Sequence, residues 1–404
     1  MPRWISIMAA MLAFISCTGV SSDDLIRQRT DRIENGLIAF SSINDLFPSG
    51  DAGSGEFRTL AERMEHYHTP GVSIAVIEDF RIAWAKAYGV LKAGGGRPVA
   101  TDSSFEAAST SKMVTAAIVL HFVEKGMLSL DEDINTYLKS WKLPENDFTR
   151  RRKVTLRLLL THQAGLPATN FPQKEDAGDP TLIQVLNGES PAMNKPAVVE
   201  YVPGDKWQYS NIGYVVVQQI LEDATGQPFS RIASETVFKP LGMKDSTFVY
   251  PLDQRRQGNE AWPHDASGTL WRPSMCPTAL AHGGLMTTPS DLALFAVELM
   301  QAYHGRSDRL LSKAMVRRMF TKVLDLDPAT MGGLPVGEGL GVFLYGEGDD
   351  LVFLHPGGNS PGMNCWLFGY PAKGRGGCVM TNGADGEVLA LEIISALNRV
   401  YSQN

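Results

Sequence analysis

The chain has 404 residues, of which 44% are hydrophobic and 20% are charged, a composition typical of a soluble globular protein with a large core. The 37 Lys and Arg residues against 44 Asp and Glu residues give a formal net charge of −7, and the basic residues form no stripe. These features argue against nucleic acid as a partner.

The N-terminus predicts export. Residues 4–15 are mostly apolar and are followed by Ser16-Cys17-Thr18-Gly19. This run is too short to span a membrane and is typical of a secretory signal, so we assign residues 1–19 to a signal peptide and expect a periplasmic or secreted protein. Cys17 is a candidate lipidation site of an outer-membrane lipoprotein and the one membrane anchor that we predict. Phe14, three residues before it, departs from the aliphatic residue that is usual at that position of a lipoprotein signal.

In chain order, the hydrophobic pattern predicts an α+β fold. Residues 20–56 read as a polar linker or wrap, and 57–404 as a single domain with a helical lobe at roughly 113–245. We predict a hairpin over 71–90 with its turn at Glu78-Asp79, three strands over 351–381 and a helix over 388–401. The strands should join in one mainly antiparallel sheet covered by helices, with the active site where sheet and helical lobe meet.

A Ser-x-x-Lys pattern marks the first candidate site. Ser109-Thr110-Ser111-Lys112 follows a strand-like run, 104–108, and opens a helix that is apolar nearly all round. Backbone N–H groups at a helix N-terminus can stabilise an oxyanion beside such a serine. Lys112 lies three residues on, within reach of the Ser109 hydroxyl, and burial would lower its pKa. About one such pattern is expected by chance in a chain of this length, so the assignment depends on partner motifs.

The second candidate pair is Tyr209 and Asn211, in the one Tyr-x-Asn pattern of the chain. It follows a Pro203-Gly204-Asp205 turn and precedes an apolar run, which predicts a loop before a helix. A tyrosine near a lysine ammonium can have its phenol pKa lowered enough to act as a base. The alternative is an aromatic side chain packed beside a turn.

The third candidate is His355-Pro356-Gly357-Gly358, which follows the strand-like run 351–354. Its glycines would let a substrate approach the backbone and would leave N–H groups free; the alternative is a turn at the end of a strand. His282-Gly283-Gly284 has the same form, but it leads into 287–291, which reads as a helix start. We therefore prefer His355.

With these motifs in this order, the chain resembles the penicillin-recognising serine hydrolases: class C β-lactamases, D,D-peptidases, family VIII carboxylesterases and D-aminopeptidases. Further phrases typical of the family support the resemblance over most of the mature chain; they occupy 69–77, 158–166, 240–243 and 283–288.

The resemblance implies a role for each motif residue. Ser109 would be the nucleophile, Lys112 and Tyr209 would share the proton transfers, and Asn211 would hold the substrate amide or the lysine. The backbone N–H groups of Ser109 and Gly358 would form the oxyanion hole. The expected reaction is acyl transfer to Ser109 and then hydrolysis, with no metal or cofactor; which of Lys112 and Tyr209 takes the first proton stays open.

One position departs from the family pattern. Many β-lactamases and D,D-peptidases have a lysine that grips a substrate carboxylate where this chain has His355, and histidine is largely neutral at pH 7. The grip should be weaker or pH-dependent, which favours an ester, amide or peptide without that carboxylate. We expect carboxylesterase-like activity, with β-lactamase or D-peptidase activity as the alternative. A penicillin-binding sensor without turnover and an acyltransferase are further alternatives.

Other patterns carry weaker hypotheses. Gly358-Asn359-Ser360-Pro361-Gly362 matches the nucleophile elbow of α/β-hydrolases, but a strand-like run follows it and the last histidine lies upstream. His162 is predicted to be structural, and His66 and His68 to be surface histidines without metal-ligand partners.

The cysteines lie in apolar surroundings. Cys365 and Cys378 lie on neighbouring strand-like runs and could face each other, but buried free thiols are the preferred interpretation. Cys276 would stay unpaired in either case.

Overall fold

The computed structural model describes residues 22–47, 55–172, 178–254, 256–271, 276–359 and 361–402. The predicted signal peptide, Cys17 and Ser360 lie outside the described residues. No helix among the described residues is long and apolar enough to cross a membrane.

The strands of the described structure are β1 (Gly71–Glu78), β2 (Arg81–Gly89), β3 (Phe105–Glu106), β4 (Met286–Thr287), β5 (Leu324–Asp325), β6 (Gly337–Glu338), β7 (Phe343–Tyr345), β8 (Val352–Asn359), β9 (Met363–Tyr370) and β10 (Arg375–Thr381). Eight of them form a central antiparallel sheet in the spatial order β2-β1-β10-β9-β8-β7-β6-β5, and β3 pairs with β4 apart from it. The first and last strand groups meet because β1 pairs with β10, Ile74 opposite Val379.

The helices cover the sheet and form the helical lobe. They are α1 (Ser22–Glu34), α2 (Leu60–His66), α3 (Ser111–Glu124), α4 (Asp147–Arg151), α5 (Leu156–Leu160), α6 (Leu182–Asn187), α7 (Asn211–Thr225), α8 (Phe229–Ala233), α9 (Lys239–Leu241), α10 (Pro289–His304), α11 (Lys313–Met319) and α12 (Gly386–Ser402). Side-chain caps start several of them: the Ser210 side chain accepts from the Gly213 N–H to start α7, and the Thr288 side chain accepts from the Asp291 N–H to start α10.

Two hydrophobic clusters lie on the two faces of the sheet. Along β1, Ile74 and Val76 belong to the cluster that includes residues of α1 and α12, whereas Ala75 and Ile77 belong to the cluster that includes α3, α7 and α10. Successive side chains of a strand point to opposite faces, so a central strand covered on both sides reads as a continuous apolar run.

The α+β architecture predicted from the sequence is confirmed, with local differences. The hairpin turn lies at Asp79-Phe80, both with positive φ (50° and 59°), one residue later than predicted. The third motif lies within β8 and not at the end of a strand, because Pro356 to Asn359 continue to pair with β9. The segment predicted as a linker or wrap contains α1, and its Ile33 and Leu37 are buried.

Candidate active site

The turn that carries Ser109 lies between β3 and α3. Ala108–Thr110 forms a single 3₁₀ turn that runs directly into α3, so Ser109 precedes the α-helix and does not open it. Ala108 has φ of 46°, a left-handed conformation that is uncommon for a residue with a side chain. Such strain persists where surrounding contacts hold it in place, and next to it the Ala107 N–H donates to the Leu285 carbonyl oxygen at 2.8 Å.

Lys112 reaches Ser109 as its spacing predicts. The Lys112 Nζ lies 3.0 Å from the Ser109 Oγ and donates to the His282 carbonyl oxygen at 2.7 Å. The side chain is 0% exposed, and this burial lowers the pKa of Lys112 well below its ordinary range. Lys112 is therefore held in an environment that favours the neutral amine, as predicted.

Tyr209 lies on the loop before α7, and its ring centre is 4.8 Å from the Lys112 Nζ. Burial raises the pKa of Tyr209 above its ordinary value, and a hydrogen bond with Ser109 opposes this without overcoming it. The lowering of the phenol pKa that a nearby lysine ammonium can cause is absent in this environment. The physical reason is that the ring is buried and that the buried lysine itself favours the uncharged form.

Asn211 is the first residue of α7. Its Nδ2 donates to the Thr169 carbonyl oxygen at 3.2 Å and to the Asn170 Oδ1 at 3.1 Å. Its Oδ1 is buried and has no hydrogen-bond partner among the described residues. The amide N–H groups of Asn211 thus point toward the 169–170 loop, and its Oδ1 is left without a hydrogen bond among the described residues.

β8 brings the third motif against the Ser109 turn. The Thr110 Oγ1 donates to the His355 carbonyl oxygen at 3.1 Å. A Cβ atom on Gly357 would lie 2.1 Å from the Ala107 carbonyl oxygen, so only glycine permits this approach. Gly358 is exposed and a Cβ there would meet nothing closer than 3.8 Å, which is the Asn364 Oδ1.

His355 is buried and does not present a cation. Its Nδ1 lies 2.7 Å from the Pro356 carbonyl oxygen, and its ring centre lies 5.1 Å from that of Phe343. Burial, with a smaller contribution from Lys112, lowers the pKa of His355 to about 3. The imidazole is therefore neutral through the neutral and mildly acidic range.

A cleft of about 520 Å³ opens above Ser109. Its described walls are amide, aromatic and small side chains; they include Asn170, Phe171, Asn211, His282, Gly358 and Asn359. Asn170, Phe171, Asn359 and, above all, His282 are not predicted from the sequence to belong to the site. The helix start after His282 argues against it, and α10 does start at Pro289, but the His-Gly-Gly pattern is a signal that points to it.

The cysteines are free thiols in the described structure, as preferred from the sequence. The Cys365 and Cys378 Sγ atoms lie 3.9 Å apart, on β9 and β10. Cys365 pairs with Met380 and Cys378 with Leu367, so the two thiols are diagonal and not directly opposite.

A family model described as β-lactamase matches residues 57–398. The chain belongs to the β-lactamase family. Among curated proteins, this β-lactamase-family chain is 30% identical over 284 residues to a putative D-alanyl-D-alanine carboxypeptidase of Escherichia coli, covering 62% of this chain and 64% of that protein. It is 29% identical to penicillin-binding protein 4 of Amycolatopsis lactamdurans, covering 80% of this chain and 83% of that one.

Solved structures support the fold of this β-lactamase-family protein. D-alanine carboxypeptidase AmpC of Burkholderia cenocepacia superimposes with a TM-score of 0.67 at 22% identity, over 95% of this chain and 100% of that chain. D-amino acid amidase of Ochrobactrum anthropi superimposes with a TM-score of 0.66 at 22% identity, over 85% and 95% of the two chains. At these identities the likeness shows a shared fold.

Proposed function

We propose that this protein is a serine hydrolase that cleaves an ester or amide bond through an acyl-enzyme on Ser109. The observation that carries the proposal is the distance of 3.0 Å between the Lys112 Nζ and the Ser109 Oγ, with the lysine fully buried. An amine whose pKa is lowered by burial can accept the proton of a hydroxyl within hydrogen-bond reach.

The reaction follows from these positions. The Ser109 Oγ attacks the substrate carbonyl carbon while its proton passes to the Lys112 Nζ, and the backbone N–H groups of Ser109 and Gly358 stabilise the oxyanion. The protonated phenol of Tyr209 donates its proton to the leaving group as that group departs. Lys112 then passes to Tyr209 the proton that it took from Ser109. Water then attacks the acyl-enzyme and gives a proton to Lys112 or Tyr209. A proton returns from these groups to the Ser109 Oγ, and the acid and the free Ser109 hydroxyl are released.

The substrate class follows from the charge of the site. His355 is buried and neutral and offers no fixed positive charge to a substrate carboxylate, which favours an acyl compound without a free carboxylate beside the scissile bond. Carboxylesterase-like activity is the leading form of the proposal.

A D-peptidase or amidase activity is the second candidate. The Asn211 Oδ1, which has no hydrogen-bond partner among the described residues, can accept a hydrogen bond from the N–H of a substrate amide; an ester has no such N–H. The names of two relatives, a putative D-alanyl-D-alanine carboxypeptidase and a D-amino acid amidase, agree with an amide substrate.

The decisive experiment follows product release from a short-chain p-nitrophenyl ester by the wild-type protein, Ser109→Ala and Ser111→Ala. We expect steady turnover that Ser109→Ala abolishes and Ser111→Ala retains, since the Ser111 Oγ accepts a hydrogen bond from the Leu285 N–H. A stoichiometric burst that stalls would indicate a penicillin-binding sensor, and turnover that requires an added alcohol would indicate an acyltransferase. Equal rates in all three proteins would overturn the proposal.

A matched pair of peptides separates the substrate classes. An acylated D-alanyl-D-alanine and its C-terminal amide differ only in the terminal carboxylate. We expect the amidated peptide to be cleaved at least as fast as the free acid at pH 7, because a neutral His355 offers no charge to the carboxylate. A strong preference for the free acid would favour a carboxypeptidase of the usual kind.

We also propose export, which the apolar run 4–15 and the small residues after it support. Intact-mass measurement of the protein from its native host would show removal of about the first 19 residues predicted as signal. An added diacylglycerol mass on Cys17 would identify a lipoprotein, and a full-length mass would contradict export by this signal.

A further inference from the structure

His162 lies directly behind Tyr209 and contacts the chain on both sides of it. The His162 carbonyl oxygen accepts the Gln208 N–H at 2.9 Å, and its ring Nδ1 accepts the Ser210 N–H at 3.1 Å. The His162 and Tyr209 ring centres are 4.3 Å apart, at an angle of 35° between the planes. The residue before Tyr209, Tyr209 itself and the residue after it are thus all held by one histidine.

The backbone of His162 is strained where a glycine would not be. α5 ends in a Schellman arrangement: the His162 N–H donates to the Leu159 carbonyl oxygen at 3.3 Å, and the Gln163 N–H donates to the Leu158 carbonyl oxygen at 2.8 Å. In this arrangement the residue at the His162 position is left-handed, here with φ of 55°, and glycine is preferred there. A strained residue with a side chain suggests that the side chain is needed.

The ring of His162 is held in one protonation state. The residue is 2% exposed, and burial, Lys112 and His355 together lower the pKa of His162 well below its ordinary value. Because its Nδ1 accepts from a backbone N–H, which can only donate, the ring proton lies on Nε2. The acceptor facing Ser210 is therefore constant across the pH range in which the enzyme would work.

We propose that His162 is the positioning residue for Tyr209, holding the phenol beside Ser109 and Lys112 through the two flanking backbone N–H groups and the ring contact. His162 touches neither the substrate nor the reacting atoms. The inference rests on the proposed function, since it concerns the proton transfers assigned to Tyr209. From the sequence, His162 is predicted to have a structural role, and the proposal adds a positioning role to it.

The test uses two substitutions that differ in the acceptor. His162→Asn places an amide oxygen where Nδ1 lies and suits the left-handed backbone, whereas His162→Gly suits the backbone and has no acceptor. With the p-nitrophenyl ester, we expect His162→Gly to lower kcat about 100-fold with little change in KM, since a displacement of about 1 Å can cost that much. His162→Asn should recover most of this loss.

A double-mutant cycle with Tyr209→Phe separates positioning from general loss of structure. If His162 acts through Tyr209, His162→Gly should cost no further activity in the Tyr209→Phe protein. A merely structural histidine would lower kcat by the same factor in both backgrounds, and that result would overturn the proposal. So would full kcat in His162→Gly.

Folding and function are controlled separately. If His162→Gly does not fold by circular dichroism, His162→Leu replaces it, because leucine has the branched shape of asparagine without the acceptor; equal kcat in the Leu and Asn variants would overturn the proposal. Ser109→Ala in the same assay reports on the proposed function: loss of turnover there with full kcat in His162→Gly refutes the positioning role alone. Turnover that does not depend on Ser109 refutes both.

Discussion

The pKa values of Lys112 and Tyr209 are shifted in opposite directions by the same cause. Burial lowers the pKa of Lys112 and raises that of Tyr209, so each group favours its uncharged form. An uncharged amine is a base and an uncharged phenol is an acid. At the scale of the residue, we therefore expect Lys112 to accept the first proton and Tyr209 to donate a proton within the proposed mechanism.

Replacement of Lys112 tests both the chemistry and the cost of its burial. We expect Lys112→Met to lower kcat/KM about 10³-fold or more, because the base is lost. A group whose folded pKa lies below its ordinary value of 10.5 opposes folding at neutral pH, and this cost fades as the pH rises toward 10.5. Lys112→Met should therefore gain stability over the wild type at pH 7 and less at pH 10, measured by urea unfolding.

The control for this prediction is Lys125→Met, which removes an exposed lysine just after α3. It should leave both kcat/KM and the pH dependence of stability unchanged. If the stability difference between Lys112→Met and the wild type is the same at pH 7 and pH 10, the amine is not shifted by burial.

Gly357 tests the contact between β8 and the Ser109 turn. In Gly357→Ala the new methyl group would lie 2.1 Å from the Ala107 carbonyl oxygen and 3.0 Å from the Thr110 backbone nitrogen, so the strand must move away from the turn. We expect a loss of about 1–3 kcal/mol in the free energy of unfolding and a lower kcat. Gly358→Ala has room for its methyl group and is the control for stability; equal unfolding midpoints in the two variants would contradict the account.

At the scale of the element, the start of α10 is tied to the loop after α9 by Asp291. The Asp291 Oδ2 accepts from the Asp245 N–H and from the Ser246 Oγ, both at 2.8 Å, and the residue is 3% exposed. Burial raises the pKa of Asp291 to about 6 despite these hydrogen bonds. This tie fixes the first turn of α10, which follows in the chain soon after the segment 282–284 that lines the cleft.

Asp291 predicts a pH dependence of stability with a definite sign. A carboxyl group whose folded pKa of about 6 exceeds its ordinary 3.8 loses stability as the pH rises through this range, by about 3 kcal/mol for about two units. In Asp291→Asn this contribution disappears. Urea unfolding at pH 4 and pH 7 should therefore show a smaller decrease in stability for Asp291→Asn than for the wild type. Asp308→Asn, at an exposed position, is the control, and an equal decrease in both variants would be evidence against the shift.

At the scale of the whole molecule, each face of the sheet has its own hydrophobic cluster. One cluster includes residues of α3 and α7, whereas the cluster that includes α1 and α12 closes the other face and also packs against Trp207 and Tyr209. Ion pairs join α1 to the hairpin, where the Arg29 Nη1 lies 2.5 Å from the Glu78 Oε1 and the Lys86 Nζ lies 2.7 Å from the Glu34 Oε1. The N-terminal segment is thus part of the folded body.

Ile33 on α1 tests this division. It is 1% exposed, and Ile33→Ala should lower the free energy of unfolding by about 2–4 kcal/mol through the lost burial and the cavity. The kcat of the folded variant should stay near that of the wild type, because the substitution lies in the cluster away from α3. Leu25→Ala, at a position 40% exposed on the same helix, should change neither quantity. A large loss of kcat at full folding would show that the two clusters are coupled.

Local features were predictable where the cause is local. The hydrophobic periodicity of 71–90 and 351–381 identified the sheet, and the spacing of three residues brought Lys112 to Ser109. The hairpin turn was misplaced by one residue because Asp79 and Phe80 both adopt positive φ without a glycine to signal it. The extent of β8 was missed because Pro356 and two glycines are turn signals, and pairing with β9 overrides them.

The family, the α+β architecture and the three motifs that meet at Ser109 could be predicted from the chain alone, since these depend on spacing and on residue type. The electrostatics and the support of the site could not. The direction of the pKa of Tyr209, the neutrality of His355, the wall formed by His282 and the hold of His162 on Tyr209 all depend on burial and on contacts between distant segments. The sequence shows which groups are present, whereas their exposure to solvent and their neighbours, which set their charge, are established only on folding.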